Sequence, residues 1–207
     1  MNAGFAYIQR SIDAVTRLVW RDTQALSLLD MTADGFYRSF IAMIVGAPLY
    51  AASLSGWRHM EVKFATDAGH KFDPAQLEFG AQDFVLDVAR YALLWFAFPV
   101  IVLFVLRFLK QTERYSALII AYNWSSIIVM ILFNVPLSLF GLGLIAPFAT
   151  VAMLFTILGF SLYYRFFLAM ASLQSGSSTA MAVASINALL FFYIVLGIDL
   201  VAMWLSA

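Results

Sequence analysis

Apolar residues fall first into a helical stripe and then into five long blocks. From Phe5 to Leu29 they recur in a near-heptad. Phe5, Ile12, Val19 and Leu26 make one row, Ile8, Val15 and Leu29 the next, and Asp22 breaks it. Arg10, Asp13, Arg17 and Arg21 take the remaining surface. This predicts an amphipathic helix in the headgroup region, apolar face down and arginines towards phosphates. A helix docked on the protein's own cytoplasmic face, or a coiled-coil seam in a dimer, fits the same stripe. Asp30 and Thr32 offer capping side chains and Gly35 a break, so residues 1–35 form a segment of their own.

Residues 36–207 read as a five-span membrane domain. The first span runs from Phe36 to Leu54, with Ala42, Gly46, Ala47 and Ala51 permitting close approach and Pro48 predicting a kink. Residues 55–90 form an outer loop and helix extension: Trp57 suits an interface, His59 to Phe64 alternates weakly as if extended, and Asp73-Pro74 starts a helix. That helix becomes the second span near Tyr91 and ends at a basic hairpin of Arg107, Lys110 and Arg114. The third span, Tyr115 to Pro136, carries no charge yet is polar at its middle, and reads as the central helix. A Gly- and Pro-bearing turn over 138–147 leads to the fourth span, Ile145 to Met170, and Ser172 to Thr179 turns into the fifth, Ala180 to Trp204.

Composition agrees with this all-α, polytopic reading. The chain is 63% hydrophobic and 12% charged, where a soluble domain carries about 25% charge. A formal net charge of zero gives nucleic acid no hold, and the absence of cysteine excludes thiolate chemistry and disulfides. An amphipathic segment before the first apolar block argues against a cleavable signal peptide. With the N-terminus inside, the inner side collects Arg10, Arg17, Arg21, Arg38, Arg107, Lys110, Arg114 and Arg165. Basic residues favour the cytoplasm, so N-in and C-out is the predicted orientation.

Within the spans, Asn123, Ser126 or Ile127, Met130 and Asn134 recur at helical spacing, and Tyr122 lies beside them. Asn123 and Asn187 fall at similar depth on parallel helices, which predicts an inter-helix amide pair. Arg165, near the inner end of its span, is expected to reach its own interface, and Arg90 is the candidate partner for Asp199. His59, Asp67, His70 and Asp73 match no metal pattern, and no serine has a base nearby, so neither a metal nor any other cofactor is expected, and no catalytic residue.

The stretch YYRFFLAMASLQSGSSTAMAVASINALLFF, Tyr163 to Phe192, resembles the end of Yip-domain proteins (the Ypt/Rab-interacting-protein superfamily), a span, a short polar turn and a small-residue-rich last span. RYSALIIAYNWSSIIVMI, from Arg114, is similar to the bacterial members, which often carry tyrosine-serine and then proline there; here Tyr122 keeps the tyrosine, Asn123 stands for the serine, and the proline is missing. The eukaryotic aspartate-leucine-tyrosine-glycine-proline motif is absent. The resemblance implies five spans, a cytoplasmic N-terminus and, for a bacterial member, the inner membrane. The expected function is a non-enzymatic membrane scaffold or accessory subunit, binding membrane lipids and a protein partner or a second copy. The alternative is a small transporter or channel subunit with a path along Tyr122, Asn123, Ser126 and Asn187.

Overall fold

A computed structural model of the chain describes residues 3–67, 69 and 80–205. Among these residues seven α-helices follow in order: α1 (Ala3–Val19), α2 (Ala33–Ser39), α3 (Ile41–Asp67), α4 (Ala81–Phe108), α5 (Tyr115–Gly141), α6 (Pro147–Leu173) and α7 (Ser177–Leu205). A 3-10 segment, Thr23–Leu28, joins α1 to α2, and no strand occurs among the described residues. Five helices are long and apolar enough to cross a membrane: α3, with α2 leading into it, and α4 to α7.

The central position of α5 follows from its sequence. With no charge and a polar middle, it is costly to expose to lipid at Asn123 and best packed on all sides. Every residue from Leu118 to Ile127 is buried, with α1, α2, α3, α4 and α6 all against it. α3 runs beside α5 at close range. A Cβ on Gly56 would fall 2.7 Å from Cβ of Leu137, and one on Gly46 3.0 Å from Sδ of Met130. Of the small residues expected to seat α3, Ala42 and Gly46 are buried, while Ala47 and Ala51 face outward.

Several boundaries differ from the sequence reading, each for a local reason. The amphipathic helix stops at Val19. Arg21 takes a left-handed conformation (φ 64°), and the Asp22 side chain caps the 3-10 segment by accepting from the Gln24 amide at 3.0 Å. His59 to Phe64, expected to be extended, is helical, because α3 continues to Asp67. α5 runs through Pro136 to Gly141, past the turn expected there, because Leu137 and Phe140 pack with Met60 and Leu154. Asp73-Pro74 lies outside the described residues. The described part of that helix starts at Ala81, where the Asp83 carboxylate accepts from the Gly80 amide at 3.0 Å.

The Asp30 to Gly35 turn caps as expected, but Gly35 does not break a helix: it lies in the first turns of α2. The Thr32 hydroxyl accepts from the Gly35 amide at 3.0 Å and donates to Asp30 at 2.6 Å. That donation holds the Asp30 carboxyl below its ordinary value. Its contribution is therefore present at neutral pH and is lost as pH falls through the lowered value. Gly35 itself lies inside α2, where a Cβ would sit 1.9 Å from the Asp30 carbonyl oxygen. Gly35→Ala is expected to cost about 2 kcal/mol by overpacking. Thermal unfolding in detergent checks this, with Gly159→Ala, whose Cβ meets nothing within 4 Å, expected to leave the midpoint unmoved.

Candidate functional site

The enclosed polar centre gathers on one turn of α5. Tyr122, Ser125 and Ser126 present a ring, a carbonyl and two hydroxyls towards α6, and Arg165 of α6 enters among them. Its guanidinium donates to the Tyr122 carbonyl at 3.0 Å, to Ser125 Oγ at 2.5 Å and to Ser126 Oγ at 2.9 Å. Both serine hydroxyls in turn donate to the Tyr122 carbonyl, at 2.8 and 2.9 Å. The guanidinium carbon also sits 4.1 Å from the centre of the Tyr122 ring. A desolvated cation over an aromatic face gains about 2 kcal/mol.

This corrects the expectation that Arg165 reaches its own interface. It is buried, roughly 12 Å from the end of α6 at Leu173. The oxygens that solvate it come from α5. No carboxylate pairs with it among the described residues. A buried cation held only by neutral oxygens and a ring is costly, and such residues inside membranes mark function more often than packing.

Asn187 of α7 completes the cluster, donating to the Tyr122 hydroxyl at 2.7 Å, while Phe98 of α4 stacks on the Tyr122 ring at 4.1 Å. The expected Asn123–Asn187 pair is therefore not formed. Neighbouring helix positions point about 100° apart, so Tyr122 turns to α7 and Asn123 to α2. There the Asn123 amide donates to Ser39 Oγ at 2.8 Å, and its Oδ1 is buried without a partner. Asn134 donates to the Leu49 carbonyl of α3 at 3.0 Å. Matched depth was legible in the sequence; facing was not. The space bounded by Phe98, Leu118, Tyr122, Arg165, Val183 and Asn187 does not admit a water molecule.

A second polar chain lies nearer the other end. Arg90 of α4 reaches Asp199 of α7, as the sequence predicts, and Asp87 at 3.1 Å. Arg58 of α3 holds the other Asp87 oxygen at 3.2 Å, so three helices are tied by four charges. The sequence signal for this network is that Asp87 and Arg90 stand three apart on one helix face, whereas nothing in the spacing brings Arg58 to them. His59, beside Arg58, sits edge-on to Phe140. Among the described residues no cluster of His, Asp or Glu could hold a metal; His70 and Asp73 fall outside them.

α1 is docked on the bundle. Tyr7 packs edge-on to Trp124 at 5.5 Å, the Val15 carbonyl accepts from the Tyr164 hydroxyl at 2.8 Å, and Ala14 and Leu18 are fully buried. Trp124 stands about 13 Å along α5 from Tyr115, so α1 lies against the flank of α5 and not beyond its end. Arg10 and Arg17 remain exposed, while Arg21 bonds the Tyr163 hydroxyl.

The whole has the construction of an integral membrane protein: five apolar helices with their polar groups turned inward around α5. The chain matches no protein family, no characterised protein and no solved structure. If the serines solvate Arg165, the double change Ser125→Ala, Ser126→Ala should cost about 3–6 kcal/mol beside Arg165 and little beside Arg165→Met. The reason is that hydrogen bonds to charged groups contribute about 1.5–3 kcal/mol each and the orphaned cation is the expense. A double-mutant cycle by reversible unfolding in detergent measures the coupling.

Proposed function

We propose that this protein is a non-enzymatic scaffold or accessory subunit of the bacterial inner membrane, with N-terminus inside and C-terminus outside. Its helices and basic cytoplasmic end bind lipids and a membrane-protein partner or a second copy. The observation that carries this is the dry centre. Tyr122, Ser125, Ser126, Arg165 and Asn187 satisfy one another with no room for water, which suits a fixed bundle better than a conduction path. Orientation rests on the basic residues Arg10, Arg17, Arg21, Arg38, Arg107, Lys110 and Arg114 at one end. The resemblance of the central and last spans to bacterial Yip-domain proteins supports the same orientation. Eukaryotic members of that superfamily are associated with Rab GTPases, and the absence of their motif here argues against such a partner.

A transporter reading keeps one specific support, the unpaired guanidinium of Arg165 beside Tyr122 and Asn187, where an anion would find charge and donors. Asn123 leaves that path, since it turns to Ser39. Flux separates the two readings. Vesicles reconstituted with the protein should show no uptake of small anions above protein-free vesicles, whereas uptake abolished by Arg165→Met would establish the transporter. Topology is checked by reporter fusions after Thr112 and at Ala207, which should report opposite sides; both on one side would contradict N-in and C-out.

A further inference from the structure

At the end of the bundle away from the basic hairpin, α3 and α6 each pack along α5 and make little contact with each other. Between them opens a groove of about 360 Å³. Its floor is Phe140, Ile145 and Pro147, with the bare backbone of Gly141 and Gly143, where a Cβ would meet nothing within 4 Å. One wall is polar: His59, Lys63 and Thr66 stand four and three apart on α3 and so share a face. Lys63 holds Asp67, one turn further on, at 2.6 Å, and both side chains are half exposed. The Thr66 hydroxyl donates to the Val62 carbonyl at 2.8 Å, which leaves its oxygen free to accept. Phe140 lies about 37 Å along α5 from Tyr115, past a hydrocarbon core of ~30 Å, so the groove stands at headgroup level.

We infer that this groove seats a zwitterionic phospholipid with a primary ammonium, of the phosphatidylethanolamine class. Its phosphate lies on Lys63 and His59, its ammonium on Asp67 and Thr66, and the start of one acyl chain on Phe140 and Ile145. The inference rests on the membrane-scaffold reading and adds a lipid at the end its basic residues do not serve. The charge pattern selects the headgroup. Lys63 is balanced by Asp67, and no other Asp, Glu, Lys or Arg lines the groove among the described residues, so a net negative lipid finds no surplus charge there. A phosphate and an ammonium two carbons apart lie antiparallel to the Lys63–Asp67 pair, each charge facing its opposite. An exposed pair adds little alone. Four charges alternating at the edge of an apolar groove, where water screens them less, attract more strongly. His59 keeps one N–H donor in its neutral form, and its ring is edge-on to Phe140 at 6.1 Å. Apolar lining with a few convergent polar groups is the usual build of a small-molecule site.

The test uses the full protein in vesicles with a trace of phosphatidylethanolamine that carries a photoactivatable diazirine near the glycerol end of one acyl chain. Crosslinks mapped by mass spectrometry should fall on Phe140 and Ile145. Unlabelled phosphatidylethanolamine should displace them several-fold better than phosphatidylcholine, which has no N–H, or phosphatidylglycerol, which has no cation. Lys63→Gln with Asp67→Asn should lower groove labelling several-fold, and so should Gly141→Leu, which puts a side chain into the groove. Labelling of Phe104 and Leu196, outward on α4 and α7, should not change with either variant. Equal displacement by all three lipids, or groove labelling unmoved by the double change, would overturn the inference and leave ordinary boundary lipid. Displacement by water-soluble glycerophosphoethanolamine as effective as by the intact lipid would overturn the lipid assignment in favour of a soluble ligand. Loss of label at Phe104 and Leu196 as well would count against membrane insertion itself, and anion flux tests the scaffold reading separately.

Discussion

A helix with amide and hydroxyl groups at its middle is costly to expose to hydrocarbon, and α5 passes that constraint to its neighbours. Tyr122 through Ser126 place a phenol, an amide, an indole and two hydroxyls on consecutive positions, which a helix distributes around its whole circumference. One neighbour therefore cannot satisfy them. α7 supplies Asn187 to Tyr122, α2 supplies Ser39 to Asn123, α1 supplies Tyr7 to Trp124, and α6 supplies Arg165 to the serines. The bundle surrounds α5 because α5 has polar demands in every direction.

The two polar systems differ in kind. Around Tyr122 a single cation is dispersed over neutral oxygens and an aromatic face, an arrangement that holds α6 to α5 but is expensive to desolvate. Around Asp87, two guanidinium and two carboxylate groups offset each other, and Asp199 stays half exposed. The second system looks like ordinary inter-helix fastening. The first is where the chain retains a buried charge with no carboxylate beside it among the described residues.

How much of this the sequence discloses depends on the scale of the question. Five apolar blocks, the uncharged central helix and the Arg90–Asp199 partnership were all legible, because block length, charge and loop order set them. Rotation was not. Asn123 and Asn187 share a depth, yet one residue of helical phase sends Asn123 to α2 and brings Tyr122 to Asn187 in its place. Arg165 was misplaced for a related reason: its distance from the helix end suggested snorkelling, and nothing in the pattern revealed that two adjacent serines would offer closer oxygens. In α1 the heptad row flanks the docked face and does not form it: Tyr7, Ala14 and Leu18 are buried, Ile12 and Val19 pack partly buried beside them, and Phe5 stays exposed.

The claim on which all of this rests is that α5 is enclosed on every side from Leu118 to Ile127. It can be tested on the unmodified protein with a lipid-soluble carbene precursor, activated by light in reconstituted vesicles and mapped by mass spectrometry. The outward apolar residues of α4 and α7, such as Phe104 and Leu196, should be labelled heavily, and Leu118 to Ile127 of α5 not at all. Labelling within Leu118 to Ile127 at a 3.6-residue period would mean that one face of α5 meets lipid, and would contradict the account.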